Sequence, residues 1–179
     1  MADLLTGIRL FLLVPVSWGL ARPGVVPGSI LLVLIALAIA TDVLDGKVAR
    51  FRGTASPRGM LFDHSADFLF VTSGLGAAAY SEQVPLWLPV LIVIAFTQYV
   101  LDSYWLFRQK QLRMSFLGRW NGILYFVPLV LLALLATKSL EALHAALGLL
   151  TQWCAYALIA STLASIVDRA VAPLRRASA

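Results

Sequence analysis

Four aspartates stand in two closely spaced pairs, Asp42 with Asp45 and Asp63 with Asp67. Residues three or four positions apart share one face of a helix, so each pair presents two carboxylates in the same direction. Four carboxylates with no companion His or Cys ligand favour a hard divalent cation, Mg²⁺ or Mn²⁺, over zinc, which prefers nitrogen and sulfur. The two pairs therefore predict a metal site, with two neighbouring ions.

Between the two carboxylate pairs, the chain carries residues suited to a phosphate ligand. Four small residues leave space there: Gly46, Ala49, Gly53 and Gly59. Arg50 offers a planar fork of N–H donors that matches a phosphate group, so a metal-bound diphosphate fits this stretch. A simpler interpretation is that the small residues serve helix packing and that Lys47, Arg50 and Arg52 pair with the aspartates. The whole constellation favours the ligand site.

The chain that carries these residues belongs in a bilayer. Hydrophobic residues make up 60% of the 179 positions and charged residues only 13%, whereas soluble domains carry about 25% charged residues. The apolar stretches run from end to end, which predicts one all-α membrane domain over residues 1–179, a bundle of six transmembrane helices. The six expected spans are 4–21, 29–50, 59–80, 85–107, 116–137 and 143–167.

The positive charges predict the orientation of these spans. Of the 14 Lys and Arg residues, only Arg22 and Lys138 fall on one side of a six-span bundle, and the others share the opposite side. Because positively charged loops stay in the cytoplasm, both termini and the aspartate pairs are expected at the cytoplasmic face. Topology and contact with anionic membrane lipids explain the net charge of +5, so we expect no nucleic-acid partner.

Aspartates inside a bilayer need a compensating role, since each costs about 2.5–3.5 kcal/mol at the centre of a span. Asp102 is a further carboxylate near the end of the fourth expected span. Buried carboxylates also mark ion pathways, so an ion-coupled membrane transporter is the main rival class. The sequence has no matching inverted half, which favours an enzyme, and a structural membrane protein is the third alternative.

In order, the stretch Asp42-x2-Asp45-Gly46-x2-Ala49-Arg50-x8-Gly59-x3-Asp63-x3-Asp67 resembles the signature of the CDP-alcohol phosphotransferases without a gap or mismatch. The resemblance implies that the four aspartates bind the metal ions and that Asp67 is the general base for the incoming hydroxyl. It implies a CDP site lined by Gly46, Ala49, Arg50 and Gly59. It also implies CDP-diacylglycerol as donor, release of CMP, and a homodimer in a bacterial or archaeal cytoplasmic membrane.

Two shorter resemblances favour glycerol 3-phosphate as the acceptor alcohol. The segment 3–9, Asp-Leu-Leu-Thr-Gly-Ile-Arg, is similar to the Asn-Leu-Leu-Thr-x-x-Arg segment of phosphatidylglycerophosphate synthases, with Asp3 in place of asparagine. Residues 115–121 correspond to the Gly-Lys-x-Lys segment of the same enzymes, where Asn121 replaces a lysine. The missing positive charge weakens the case for a phosphorylated acceptor, whose dianion benefits from several cations.

A competing resemblance indicates an unphosphorylated acceptor. Three stretches are similar to choline and ethanolamine phosphotransferases: 45–47 (Asp-Gly-Lys), 56–57 (Ser-Pro) and 61–64 (Leu-Phe-Asp-His). Ser56 joins the expected CDP site, and His64 is a candidate for proton transfer at the acceptor. An adjacent helical residue points about 100° away from its neighbour, so His64 can instead bond to a neighbouring span. Inositol phosphate and serine are further possible acceptors.

A second basic cluster lies between the fourth and fifth expected spans: Arg108, Lys110, Arg113 and Arg119. Such a cluster can admit the phosphate of an acceptor from the cytoplasm, or it can simply set the topology. Arg119 is the strongest candidate for acceptor contact, because it stands at the expected start of a helix, and Arg113 is the second.

Overall fold

A computed structural model describes residues 2–51, 57–102 and 116–177, with side chains at most of these positions. Within these ranges the chain forms helices and short turns, with no strand. The α-helices of the described ranges are α1 Ala2–Ala21, α2 Gly28–Phe51, α3 Pro57–Tyr80, α4 Trp87–Leu101, α5 Phe116–Leu124, α6 Phe126–Leu135 and α7 His144–Ala177. The expected all-helical fold is confirmed for this part of the chain.

The fifth expected span is divided into α5 and α6 at Tyr125. Pro128 lies near the start of α6 and has no N–H, so the carbonyl of Leu124 loses the donor that a regular helix would give it. The backbone N–H of Tyr125 still donates to the carbonyl of Asn121 at 2.9 Å, and Tyr125 keeps a right-handed helical conformation. The division is therefore a local break between two consecutive helices.

The last helix is longer than expected. A 3-10 turn, Lys138–Leu143, leads into α7, and α7 continues to Ala177, past the expected end at residue 167. Charged residues interrupt the apolar pattern after that point, but Ala, Leu and Arg all favour helical backbone. Apolar pattern and helix therefore end at different places here.

The first three helices form one side of the bundle, and the packing of α2 onto α6 closes it. α1 lies against both α2 and α3. A Cβ atom at Gly28 would come within 2.5 Å of both the Ala133 carbonyl oxygen and the Thr137 nitrogen, so only glycine allows the start of α2 to approach the end of α6 this closely. Buried side chains between the helices form a continuous core: Leu20, Leu31, Ile35, Phe70, Leu75, Leu88, Leu129 and Leu132.

Large apolar side chains also cover the outside of the bundle. Phe11 is 83% exposed, Trp87 69% and Trp153 68%. Two stretches of the described chain are long and apolar enough to cross a bilayer, Leu117–Leu135 and His144–Val171. Three further apolar helices are shorter: Leu5–Ala21, Gly28–Leu44 and Trp87–Leu101. The number of spans and the cytoplasmic position of the termini stay predictions.

Candidate active site

Three of the four signature aspartates, from α2 and α3, meet beside α1, the helix that packs against both. Asp42 is in the second half of α2, and Asp63 and Asp67 are one turn apart near the start of α3. Their side chains are partly accessible, at 35%, 25% and 24% of full exposure. Polar ligands can therefore reach all three carboxylates. Asp45 belongs to α2, but the structure describes only its backbone and not its side chain.

The centre of this group is Arg9, on α1. Its side chain is fully buried, with 0% exposure. The Nη1 atom donates to Oδ1 of Asp63 at 3.1 Å and also donates to Oδ1 of Asp67. The Nη2 atom forms an ion pair with Oδ1 of Asp42 at 3.3 Å. One guanidinium thus connects carboxylates from two other helices, and we call these four residues the Arg9 cluster.

His64 joins the carboxylates more closely than its sequence position indicated. One ring nitrogen of His64 and carboxylate oxygens of Asp63 and Asp67 all lie within 4.8 Å of one another. The imidazole also meets the ring of Tyr99 edge to face, with 6.4 Å between the centroids. The expectation that the carboxylates have no His companion is therefore wrong for this group.

A cavity of about 900 Å³ opens beside the carboxylates. Asp42, Asp63, His64 and Asp67 line one side of it. Apolar residues from α2, α3, α4 and α6 form most of the remaining surface: Ile39, Val43, Phe68, Val71, Ile92, Ala95, Phe96, Val130 and Leu131. The site therefore joins a charged end to an apolar interior, which suits an amphipathic substrate.

The sequence profile of the CDP-alcohol phosphatidyltransferases matches residues 1–163. The chain belongs to this family. The matched region includes the whole aspartate signature, so the suspected resemblance is confirmed, and Asp42, Asp63 and Asp67 are the part of that signature gathered at the cavity.

One relative of known activity is a cardiolipin synthase (CMP-forming) from Streptomyces coelicolor. The two sequences are 33% identical over 137 residues, which cover 72% of this chain and 61% of the relative. The chain thus spans less than two thirds of the length of the relative that it matches. No solved structure matches the sequence.

Members of this family generally depend on divalent metal ions. The donor set of Asp63, His64 and Asp67 fits such an ion, because carboxylate oxygens and an imidazole nitrogen are both common ligands. The nitrogen means that a borderline ion fits as well as Mg²⁺ or Mn²⁺. A bound ion would neutralise a diphosphate and stabilise the charge that develops around its phosphorus.

The residues expected at the CDP site are only partly described. Gly46, Ala49 and Arg50 lie on the last turns of α2, where the backbone is described and the side chains of Ala49 and Arg50 are not. Gly59 is in the first turn of α3 and is half-buried. Ser56 lies outside the described residues. The CDP site therefore stays a prediction for all five residues.

Three further helices, α5, α6 and α7, supply a second part of the cavity wall, which the sequence did not reveal. The Ser161 hydroxyl donates to Oδ1 of Asn121 at 2.6 Å, and Asn121 is buried at 2% exposure while lining the cavity. The Thr162 hydroxyl donates to the Leu158 carbonyl at 2.6 Å. Since that uses its hydrogen, the Tyr125 hydroxyl must be the donor in the 2.8 Å contact with Thr162.

Two arginines complete this wall. Arg119, one of the expected acceptor residues, is exposed at the start of α5 and lines the cavity. Arg169 on α7 also lines it, with its guanidinium carbon 5.0 Å from the centroid of the Tyr99 ring. Asp102 is among the charges that act on Arg169, so this carboxylate belongs to the same end of the bundle. Arg113 lies outside the described residues.

Sequence reasoning missed Arg9, Arg169 and Asn121. For Arg9 a signal was present, because a charged residue within an apolar span needs a partner in the protein. Arg169 follows the end of the last expected span and was interpreted as a topology signal. Asn121 was noted only as a replaced lysine, and its pairing with α7 depends on tertiary packing.

Proposed function

We propose that the chain transfers a phosphatidyl group from CDP-diacylglycerol to the hydroxyl of an alcohol and releases CMP. The observation that carries this proposal is the gathering of Asp42, Asp63 and Asp67 at one cavity in a chain of this family. A charged end with an apolar interior suits a donor that has a diphosphate headgroup and two acyl chains. A divalent metal ion held by the signature aspartates is part of the proposal.

In the proposed reaction, Asp67 removes the proton from the acceptor hydroxyl. The alcohol oxygen then forms a bond to the phosphorus that carries the diacylglycerol, and the bond from that phosphorus to the CMP oxygen breaks. CMP leaves with the electron pair as a dianion, so the phosphates gain one negative charge, which matches the proton taken up by Asp67. The signature aspartates hold the metal, while the residues at the end of α2 hold the CDP group. Holding the reacting oxygens in line contributes much of the rate.

The leading acceptor is glycerol 3-phosphate. Arg119 and Arg169 support a phosphate-bearing acceptor, because both line the same cavity as Asp67. A guanidinium binds phosphate through paired charge-assisted hydrogen bonds. Choline, ethanolamine and serine lack a phosphate and gain less from these two cations, and inositol phosphate is a phosphate-bearing alternative.

A second candidate acceptor is phosphatidylglycerol. The Streptomyces relative is a cardiolipin synthase that forms CMP, and cardiolipin arises when a phosphatidyl group is added to the free glycerol of phosphatidylglycerol. The apolar lining between α3, α4 and α6, including Phe68, Ile92 and Val130, is suited to acyl chains. Both candidates share a glycerol hydroxyl near a phosphate, so the two cations fit either.

The proposed setting is a six-span bundle in a bacterial or archaeal cytoplasmic membrane, with the aspartates facing the cytoplasm. The apolar exterior and the two long apolar stretches support it. A lipid donor would then enter from the bilayer while CMP leaves into water. A homodimer belongs to this proposal on the family resemblance alone.

The deciding experiment is CMP release by purified protein in detergent with CDP-diacylglycerol and Mg²⁺ or Mn²⁺. Glycerol 3-phosphate, phosphatidylglycerol, inositol phosphate, serine, choline and ethanolamine are offered one at a time. We expect metal-dependent release with one of the two glycerol phosphates and none with Asp67→Asn. Release with an unphosphorylated alcohol alone would contradict the acceptor assignment. Ion flux by the same protein in sealed lipid vesicles, without CMP release, would support transport instead.

A further inference from the structure

Arg9 is the largest fully buried side chain in the described part of the protein. A buried guanidinium is costly unless charged partners surround it. Its partners here include the three carboxylates to which the proposed function assigns metal binding. A residue of α1, outside the signature, thus contacts the metal-site carboxylates of α2 and α3 directly.

The charges of the Arg9 cluster explain why such a residue is useful. Asp42, Asp63 and Asp67 bring three carboxyl groups into a partly buried space, and Arg9 supplies a positive charge among them. Like charges brought together away from water repel strongly. Without Arg9 or a metal ion, these carboxylates of α2 and α3 would face one another beside α1 without this positive charge.

The same contacts put Arg9 in competition with a metal ion. Nη1 donates to Oδ1 of both Asp63 and Asp67, and these two residues belong with His64 to the group able to hold an ion. A divalent ion binds carboxylate oxygens at about 2.0–2.6 Å. The guanidinium and the ion are both positively charged and share the same oxygens. Each therefore weakens the binding of the other to the carboxylates.

We infer that Arg9 is a built-in counter-cation of the metal site, which holds the carboxylates together in the metal-free protein and must give way when a divalent ion binds. Arg9 therefore stabilises the metal-free fold and raises the metal concentration needed to fill the site. The inference rests on the proposed function only through the metal site. It concerns metal binding without donor or acceptor, so transfer activity plays no part in its test.

The test compares wild-type protein with Arg9→Gln in detergent, without substrates. Titration with Mn²⁺, followed by the electron paramagnetic resonance signal of the free ion, gives the dissociation constant. Removing the competing charge should tighten Mn²⁺ binding at least roughly tenfold. In chelator, the same variant should unfold at a temperature lower by about 5 °C or more, because three carboxylates lose their counter-charge.

Arg22→Gln is the matched control. Arg22 follows the other end of α1, and its guanidinium carbon lies 4.2 Å from the centroid of the Trp18 ring. This variant loses the same charge and should bind Mn²⁺ with the wild-type dissociation constant. Arg9→Lys keeps the charge of Arg9 and should remain within about threefold of wild type.

Unchanged or weaker Mn²⁺ binding by folded Arg9→Gln would overturn the inference and make Arg9 a residue that orients the ligands. If Arg9→Gln does not fold in chelator, the double variant Arg9→Gln/Asp67→Asn decides. It removes one charge of each sign and should recover folding in chelator; a double variant that stays unfolded would also overturn the inference. Absence of CMP release with any acceptor, beside the expected Mn²⁺ shift, would refute the proposed function alone.

Discussion

The two walls of the cavity are held together by different forces. On the side of α1, α2 and α3, full charges face one another: Arg9 contacts Asp42, Asp63 and Asp67. On the side of α5, α6 and α7, neutral groups pair instead, as in the contacts of Asn121 with Ser161 and of Tyr125 with Thr162. Among the described residues that line the cavity from this side, the cations are Arg119 and Arg169.

This difference matches the two tasks of a transferase. We call the side formed by α1, α2 and α3 the charged wall and the side formed by α5, α6 and α7 the neutral wall. The charged wall can bind a metal ion, whose positive charge offsets the repulsion among the carboxylates and attracts the diphosphate. The neutral wall can position an alcohol through directional hydrogen bonds without competing for the metal. We therefore expect substitutions on the charged wall to abolish chemistry, and substitutions on the neutral wall to change acceptor binding and stability by smaller amounts.

The largest effect is expected from Asp67→Asn. Loss of the proposed base and of one metal-ligand charge should lower the rate of CMP release by at least about a thousandfold. Donor binding, measured by equilibrium dialysis with labelled CDP-diacylglycerol in detergent, should persist. Glu82→Gln is the matched control, since this exposed carboxylate lies in the turn after α3. Wild-type turnover in Asp67→Asn would show that Asp67 is not the general base.

The second-largest effect is expected from Arg119→Ala, on the neutral wall. Arg119→Ala should raise the KM of the acceptor roughly tenfold to a hundredfold, because a charge-assisted bond to phosphate contributes about 1.5–3 kcal/mol. The KM of CDP-diacylglycerol should change by less than about twofold in the same steady-state assay. Lys138→Ala, an exposed cation in the turn before α7, is the control. Equal increases in both KM values would show that Arg119 does not discriminate between acceptor and donor.

The contrast between the walls also explains what the sequence could predict. The aspartates are close in sequence and have helical spacing, so their convergence follows from two helices and one short connection. The partners Asn121 and Ser161 are 40 positions apart, and nothing local in either segment indicates that α5 meets α7 there. The contact of Arg9 with α3 spans 54 and 58 positions and likewise depends on tertiary packing.

The helix positions, too, could be predicted where a local sequence signal was present and not elsewhere. The apolar stretches located the helices, because length and composition are local properties. The break at Tyr125 had a local signal in Pro128, whereas the extension of α7 to Ala177 had none in the hydropathy. For His64 the sequence left two alternatives, proton transfer at the acceptor or a bond to a neighbouring span. In the structure, one of its ring nitrogens lies near the carboxylates of Asp63 and Asp67, and its ring also contacts Tyr99 of α4.

A smaller effect tests whether His64 belongs to the charged wall. His64→Gln should weaken Mn²⁺ binding about tenfold, as loss of one ligand or of its orienting contact would. His144→Gln is the matched control, because His144 is exposed at the start of α7. The measurement is the same Mn²⁺ titration without substrates. Equal dissociation constants for the two variants would leave the carboxylates alone as ligands and assign His64 to packing against Tyr99.

The smallest effect is expected on the neutral wall, from Tyr125→Phe. The Tyr125 hydroxyl is a donor to Thr162, and one neutral hydrogen bond contributes about 1 kcal/mol to stability. The unfolding temperature should therefore fall by about 2–4 °C. Tyr156→Phe, at a tyrosine that is 57% exposed on α7, should not change it. Thr162→Val removes the acceptor of the same bond, so adding Tyr125→Phe to it should cost little more.

The acceptor KM of Tyr125→Phe then tells whether this wall does more than hold α6 to α7. Tyr125 lines the cavity, and its oxygen can accept a hydrogen bond from an alcohol while its hydrogen goes to Thr162. If the acceptor binds there, its KM should rise severalfold while the KM of the donor stays constant. A loss of stability with both KM values unchanged would restrict the Tyr125–Thr162 pair to packing and leave Arg119 and Arg169 as the groups that select the acceptor.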